Sequence, residues 1–203
     1  MPGIYDTARG PLARWAGPLA VRARERRHRE FFAQTDLPIG GRVLDLGCGA
    51  IGLRALEPEL DITGVDLDEQ GAYPGPFVRA NAAHGLPFED GEFDLVYCSS
   101  VIEHVPPADR AAFASELCRV GRGWMVQTPA FSFPIEPHAL LPFAHWLPPH
   151  LRRPYWHLGA TGGWEEISLL RRAEMEDLFG PAQAERFGPL VKSWVCVRPV
   201  DSR

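Results

Sequence analysis

Runs of apolar residues that end in an acid or a glycine recur along the chain. Val43-Leu44-Asp45-Leu46, Ile62-Thr63-Gly64-Val65-Asp66 and Phe93-Asp94-Leu95-Val96-Tyr97-Cys98 each have the length and β-branched character of strands, and the last is apolar almost throughout, as a buried central strand is. Between them lie segments with helical or turn signals. The pattern predicts strands at 42–46, 61–66, 76–80, 93–98 and 123–128, a short helix at 51–57 and a longer one at 108–119. An N-terminal helix over about 12–35 carries Leu12, Trp15, Leu19, Phe31 and Phe32 as its apolar side, and Gly17-Pro18 is expected to break or kink it. A helix near 170–179 closes at Gly180-Pro181. Strands at 183–188 and 192–198 follow, joined at Gly188-Pro189 as an antiparallel hairpin at the sheet edge. This alternation predicts an α/β fold: a Rossmann-like, mostly parallel seven-stranded sheet with an antiparallel last strand, helices on both faces and an insertion after the fifth strand.

The insertion stands out by composition. Residues 129–154 contain seven prolines interleaved with Phe131, Phe133, Phe143 and Trp146, a density that predicts an ordered cover rather than a linker. The chain of 203 residues is expected to form one domain, with 12–35 and 129–165 as its helical cover and lid. No apolar run approaches the roughly 20 residues of a membrane helix, the N-terminus lacks a signal-peptide pattern, and Cys48, Cys98, Cys118 and Cys196 form no C-x-x-C pair. A cytoplasmic protein is the expectation. The net charge of −5 argues against a large nucleic-acid footprint. The Arg22–Arg29 segment is the local exception, read as a solvated helix face before a patch for an anionic substrate or surface.

Chemistry concentrates after the first strand. Glycines at 47, 49 and 52 permit a sharp turn and close approach to a ligand, and Asp66 at the tip of the second strand is placed to hold ribose hydroxyls. G-x-G-x-x-G alone also fits NAD enzymes. Asp45, two residues before Gly47, is awkward beside a pyrophosphate and suits a ligand bearing an ammonium group.

Together with Leu86-Pro87-Phe88-Glu89-Asp90-Gly91-Glu92-Phe93-Asp94-Leu95-Val96 and Glu103-His104-Val105, these segments resemble the class I S-adenosylmethionine-dependent methyltransferases of the broad small-molecule type. The resemblance is strong over about 40–128 and implies S-adenosylmethionine as cofactor, with S-adenosylhomocysteine as product. It implies that Gly47, Cys48 and Gly49 face the methionine part and that Asp45 favours its ammonium group. Asp66 would bind ribose, Leu67 would pack on adenine, Asn81 and Ala82 would hold the adenine edge, and Ser99 would contact the cofactor through its backbone. Asn81 departs from the acid common in the family, and its amide oxygen can still accept from the adenine amino group. The implied activity is methyl transfer to a small-molecule, lipid-like or natural-product acceptor. An NAD-dependent oxidoreductase, a non-catalytic cofactor-binding protein and a nucleic-acid or protein methyltransferase are the alternatives.

A base is needed only where the acceptor is protonated. His104 and His138 are the candidate catalytic residues. The spacings of His138, His145, His150 and His157 match no helical ligand pair, so no metal site is expected from them.

Overall fold

The computed structural model describes residues 11–159, 164 and 166–200, with the side chains of 11–20 and 23 outside that description. Seven strands form one sheet: β1 Arg42–Leu46, β2 Asp61–Asp66, β3 Phe77–Arg79, β4 Phe93–Ser99, β5 Gly121–Pro129, β8 Ala182–Phe187 and β9 Leu190–Arg198. A separate two-stranded ribbon, β6 Ile135–Glu136 and β7 Leu141–Pro142, lies in the insertion. The sheet order is β3-β2-β1-β4-β5-β9-β8. All neighbours are parallel except β9, which runs antiparallel to both β5 and β8. The last strand is therefore inserted beside β5, and β8 forms the edge of the hairpin turned at Gly188-Pro189. Strand order reverses between β1 and β4, and in such sheets the crevice beyond the strand ends at that point binds ligands.

Alternation along the central strands sorts the core onto two faces. Leu44, Leu46, Val96, Cys98 and Val126 pack with Phe113 and Leu117 of α2 (Arg110–Val120) and Met175 and Phe179 of α4 (Arg172–Phe179). Val43, Leu95, Tyr97 and Met125 point the other way, onto Leu53 and onto Phe31 of α1 (Pro11–Phe32). The helix α1 continues through Gly17-Pro18, which therefore does not break it, and Leu12, Trp15 and Leu19 have side chains outside the described residues.

Two further expectations change. The helix expected at 51–57 is a 3₁₀ turn, Gly52–Ala55, because Pro58 disfavours helical backbone at Glu57 and leaves too few residues for an α-helix. The Arg22–Arg29 segment is only partly a solvated face. Arg22, Arg26 and Arg29 are exposed, but Arg27 and His28 are buried with Phe31. His28 Nε2 lies 2.8 Å from Glu57, and Arg27 pairs with Glu185 at 3.3 Å. Arg24 donates to the Gly52 carbonyl at 2.7 Å. The spacing 24, 27, 28, 31 is one helix stripe, and it docks α1 on the sheet.

The insertion leaves and rejoins the sheet at one place. Ala130 bridges Leu170, and the Phe131 N–H donates to the Leu170 carbonyl at 3.0 Å. Between them the chain builds α3 (Pro149–Trp156) and a small core of Leu141, Ala144, Trp156, Ile167 and Leu169. Arg110 fastens this return segment to the end of β4. It is buried and donates to the carbonyls of Val105 at 3.2 Å and Ser168 at 2.5 Å, while pairing with Glu174. Replacement Arg110→Ala strands both carbonyls and is expected to cost about 2–4 kcal/mol. Urea denaturation measures it, and a loss below about 0.5 kcal/mol would show that the clamp is not what holds the return segment.

Candidate functional site

The loop after β1 is shaped by contacts that exclude side chains. Gly47, Gly49 and Gly52 have φ of +74°, +55° and +56°, a region L-residues rarely adopt. A Cβ at Gly47 would strike Val101, and one at Gly52 would strike the Asp45 carboxylate. At Gly49 a Cβ would meet nothing within 4 Å, so open space lies over that residue.

Asp45 is only 2% exposed, and its Oδ2 accepts the Leu53 N–H at 2.6 Å. Burial raises its pKa from the ordinary carboxylate value to about 7, against the opposing effects of that hydrogen bond and of Arg24. The carboxylate thus lies behind the glycine turn and organises it. The N–H groups of Gly47 and Cys48 both donate to the Val65 carbonyl, at 2.8 and 3.1 Å, and that of Gly49 donates to Asp66 Oδ2 at 2.9 Å. Cys48 is buried, and its thiol packs toward Gly64.

Asp66 Oδ1 also accepts the Asp68 N–H at 3.2 Å, so the acid bridges the loop and its own strand end. Leu67, beside it, is 58% exposed, an uncovered apolar side chain at the crevice. Asn81 caps a short turn: its Oδ1 accepts the Ala83 N–H at 3.0 Å, which leaves one lone pair, and Ala82 is buried. Ser99 ends β4, where its hydroxyl donates to Gln127 Oε1 at 2.7 Å and accepts from Arg27 at 3.3 Å. Those two contacts, absent from the sequence expectation, tie the end of β4 to β5 and to α1. Arg119 fixes the Leu86–Gly91 turn through the carbonyls of Leu86 and Phe88 and the carboxylates of Asp90 and Glu116.

A second group lies past the end of β4. Glu103 is fully buried, its Oε2 accepts the Thr128 hydroxyl at 2.9 Å, and its Oε1 has no hydrogen-bond partner. His138 comes from the insertion. Its Nδ1 sits 2.7 Å from Glu136 Oε1, and its Nε2 lies 3.9 Å from Glu103 Oε1. Glu136 is itself buried and accepts the Ala139 N–H at 2.6 Å. The His104 and His138 rings meet edge to face at 4.9 Å. His104 keeps an exposed edge, yet desolvation and the adjoining His138 lower its pKa to about 4, so it is neutral at pH 7. Burial raises the Glu103 pKa.

Sequence reasoning singled out both histidines. It missed Glu103 and Glu136 as their partners, although the signal was local in each case: Glu103 adjoins His104, and Glu136 lies two residues from His138. Donor atoms of Glu103, His104 and His138 lie within 4.8 Å of one another, a grouping able to hold a metal ion. His145 has a structural task instead, with Nε2 2.9 Å from the Phe131 carbonyl.

Residues 44–123 match the family model described as a methyltransferase domain. The chain is 32% identical over 96 residues to a ubiquinone biosynthesis O-methyltransferase of Aromatoleum aromaticum, covering 40% of this chain and 41% of that protein. It is 36% identical over 96 residues to a 2-methyl-6-phytyl-1,4-hydroquinone methyltransferase of Synechocystis, covering 41% of this chain and 30% of the relative. These matches span well under half of either relative. A solved protein of Pyrococcus horikoshii shares the fold with a TM-score of 0.55 at 19% identity, covering 79% of this chain and 82% of that one. A SAM-dependent methyltransferase structure from Methanosarcina mazei does so with 0.54 at 17%, covering 82% and 95%. No helix among the described residues is long and apolar enough to cross a membrane. Residues 44–123 are thus similar in sequence to methyltransferase domains, and the described sheet shares its fold with these solved structures.

Proposed function

We propose that this chain transfers a methyl group from S-adenosylmethionine to a small-molecule acceptor held between the end of β4 and the insertion. The observation that carries this reading is the internal use of the glycine-loop N–H groups. A dinucleotide pyrophosphate is held by free N–H groups at the start of a helix. Here the N–H groups of Gly47, Cys48, Gly49 and Leu53 are given to Val65, Asp66 and Asp45, and one 3₁₀ turn stands where that helix would begin. Those four donors are therefore not available to an anion. The loop offers open space over Gly49, a buried acid behind the turn, an acid at the next strand end and an exposed leucine, which together suit a cationic nucleoside ligand.

Bound S-adenosylmethionine supplies an electrophilic methyl group on a positively charged sulfur. In this reading Asp66 holds the ribose hydroxyls with the lone pairs its backbone donors leave, Leu67 and Ala82 flank the adenine, and Asn81 accepts at its edge. The backbones of Gly47, Cys48, Gly49 and Ser99 line the methionine end, and Asp45 attracts the ammonium group through the loop. His104 and His138 meet the reacting group of the acceptor. Alignment then does most of the catalytic work, on the order of 7–11 kcal/mol in well-oriented systems. The acceptor class best supported is a hydroxylated aromatic ring. The relatives' names specify ubiquinone biosynthesis and a hydroquinone, and Phe131, Phe143 and Trp146 of the insertion supply aromatic surface for such a ring.

Calorimetry with S-adenosylhomocysteine and with NAD tests the cofactor. The first is expected to bind and the second not, and the reverse result would make the chain an oxidoreductase. Transfer of labelled methyl to a panel of phenols and hydroquinones tests the reaction, and binding without turnover on a wider metabolite panel would favour a non-catalytic role.

Asp45 gives a pH prediction. Its folded-state pKa is raised, so its contribution to stability is fully present below about pH 4 and lost as pH rises through about 7. A cationic ligand favours the ionised form, so S-adenosylmethionine affinity is expected to rise over the same interval. Asp45→Asn should flatten both profiles in thermal melts and titrations at pH 5, 6, 7 and 8, and an unchanged affinity profile would separate Asp45 from the cofactor.

For the lid, Phe131→Ala and Trp146→Ala are expected to lower kcat/KM for the true acceptor by about tenfold or more while leaving S-adenosylhomocysteine affinity intact. Unchanged turnover would place the acceptor elsewhere.

A further inference from the structure

Glu103, His104 and His138 combine three features that turnover by alignment alone does not require. Glu103 is a buried carboxylate with one oxygen, Oε1, lacking a hydrogen-bond partner. That oxygen lies 3.9 Å from His138 Nε2, and the donor atoms of all three residues fall within 4.8 Å of one another. The far nitrogen of His138, Nδ1, is 2.7 Å from the buried Glu136 carboxylate, which is anchored in turn by the Ala139 N–H. A carboxylate behind the distal nitrogen is the usual support of a metal-bound histidine, since it fixes the tautomer and raises the basicity of the ligating nitrogen.

We propose that Glu103 Oε1, His104 and His138 Nε2 bind one divalent transition-metal ion of the zinc type at the acceptor end of the cleft. Two imidazoles and one carboxylate suit zinc or cobalt better than magnesium, which prefers oxygen ligands in octahedral geometry. Bonds of roughly 2.0–2.2 Å place neighbouring ligands about 3–3.5 Å apart, so the widest separation in the trio must close by up to about 1.3–1.8 Å. His104 is the exposed member of the trio, so the adjustment falls first to its side chain. Three protein ligands leave a coordination position open toward the cleft, as in catalytic rather than structural sites. An acceptor hydroxyl bound there would lose its proton to solvent more readily and face the methyl donor as an oxyanion, with the charge balanced by the ion.

The sequence pointed away from a metal because the spacing of His138, His145, His150 and His157 was the pattern available. The trio draws instead on adjacent residues after β4 and one residue of the insertion, brought together by the Ala130–Leu170 closure.

The use of the ion rests on the methyltransferase reading, whereas its binding does not, and the test separates them. Chelator-treated full-length chain is titrated with Zn²⁺ by calorimetry and with Co²⁺ by visible absorption, and S-adenosylhomocysteine binding is measured on the same samples. One equivalent of metal per chain is expected, with Co²⁺ bands of a four- or five-coordinate site. Glu103→Gln and His138→Gln should weaken binding by at least about tenfold, and Glu136→Gln by about 10–100-fold, while the exposed His157→Gln leaves it unchanged. Thermal melts and retained S-adenosylhomocysteine affinity verify that each variant is folded. Absence of stoichiometric metal in chain that binds S-adenosylhomocysteine overturns the metal site and leaves the methyltransferase reading standing. Metal affinity unchanged in folded Glu103→Gln and His138→Gln also overturns it. Stoichiometric metal bound through the trio, without any S-adenosylhomocysteine binding, supports the site and removes the methyltransferase reading.

Discussion

The hydrogen bond from the Leu53 N–H to the buried Asp45 carboxylate is the constraint around which the cofactor end is built. A carboxylate in low dielectric has to be met by donors or be protonated, and here a backbone amide eight residues on meets it at 2.6 Å. For that amide to arrive, the chain must turn back over the carboxylate, and only glycine fits at 52 because a Cβ there would occupy the space of Asp45. The turn also exposes the Gly52 carbonyl to Arg24, so α1 is fastened to the same loop. One buried acid thus fixes the loop path, the identity of Gly52 and the seat of the N-terminal helix.

The same constraint bears on the proposed preference for a cationic ligand over a phosphate. The amides of Gly47, Cys48, Gly49 and Leu53 are directed at Val65, Asp66 and Asp45, which withdraws four donors from the loop surface. G-x-G-x-x-G supplies backbone freedom, and what that freedom is used for depends on the acid two residues upstream. Asp45 distinguished the two cases in the sequence for a charge reason. The structure adds a geometric one, since the acid also withdraws the Leu53 donor.

The strands were legible because a parallel sheet buries both faces, and near-continuous apolar runs announce it. The glycines, Asp66, Leu67 and the Asn81 turn were legible for a similar reason, being local features of strand ends. The inward stripe of α1 was present in the spacing 24, 27, 28, 31, but charged residues at three of those positions imitate a solvated face, and only the partners Glu185, Glu57 and the Gly52 carbonyl show otherwise. The 51–57 segment has helical composition but lies between a positive-φ glycine and Pro58, too short a span for an α-helix to nucleate. His138 could be named as a candidate, yet its meeting with Glu103 could not be read, because it depends on a 39-residue excursion closed by the pairing of Ala130 with Leu170.

Two buried carboxylates therefore flank the switch point of the sheet, Asp45 at the end of β1 and Glu103 just past the end of β4, and the Cys98 thiol between them is pushed up first by its own burial and then by both acids. Their treatment by the surrounding chain differs. Asp45 is held by a backbone amide and shapes a loop, so its burial serves the fold. Glu103 has a single hydroxyl donor on one oxygen and none on the other. A carboxylate so placed costs stability, and nothing in the packing of the strands requires one there. Leucine would fill a similar volume in an apolar setting. This half-satisfied buried acid, with two imidazoles beside it and a third carboxylate behind one of them, is what the proposed metal ion would complete. The Asp45 carboxylate is met by the fold itself, whereas Glu103 Oε1 has no hydrogen-bond partner among the described residues.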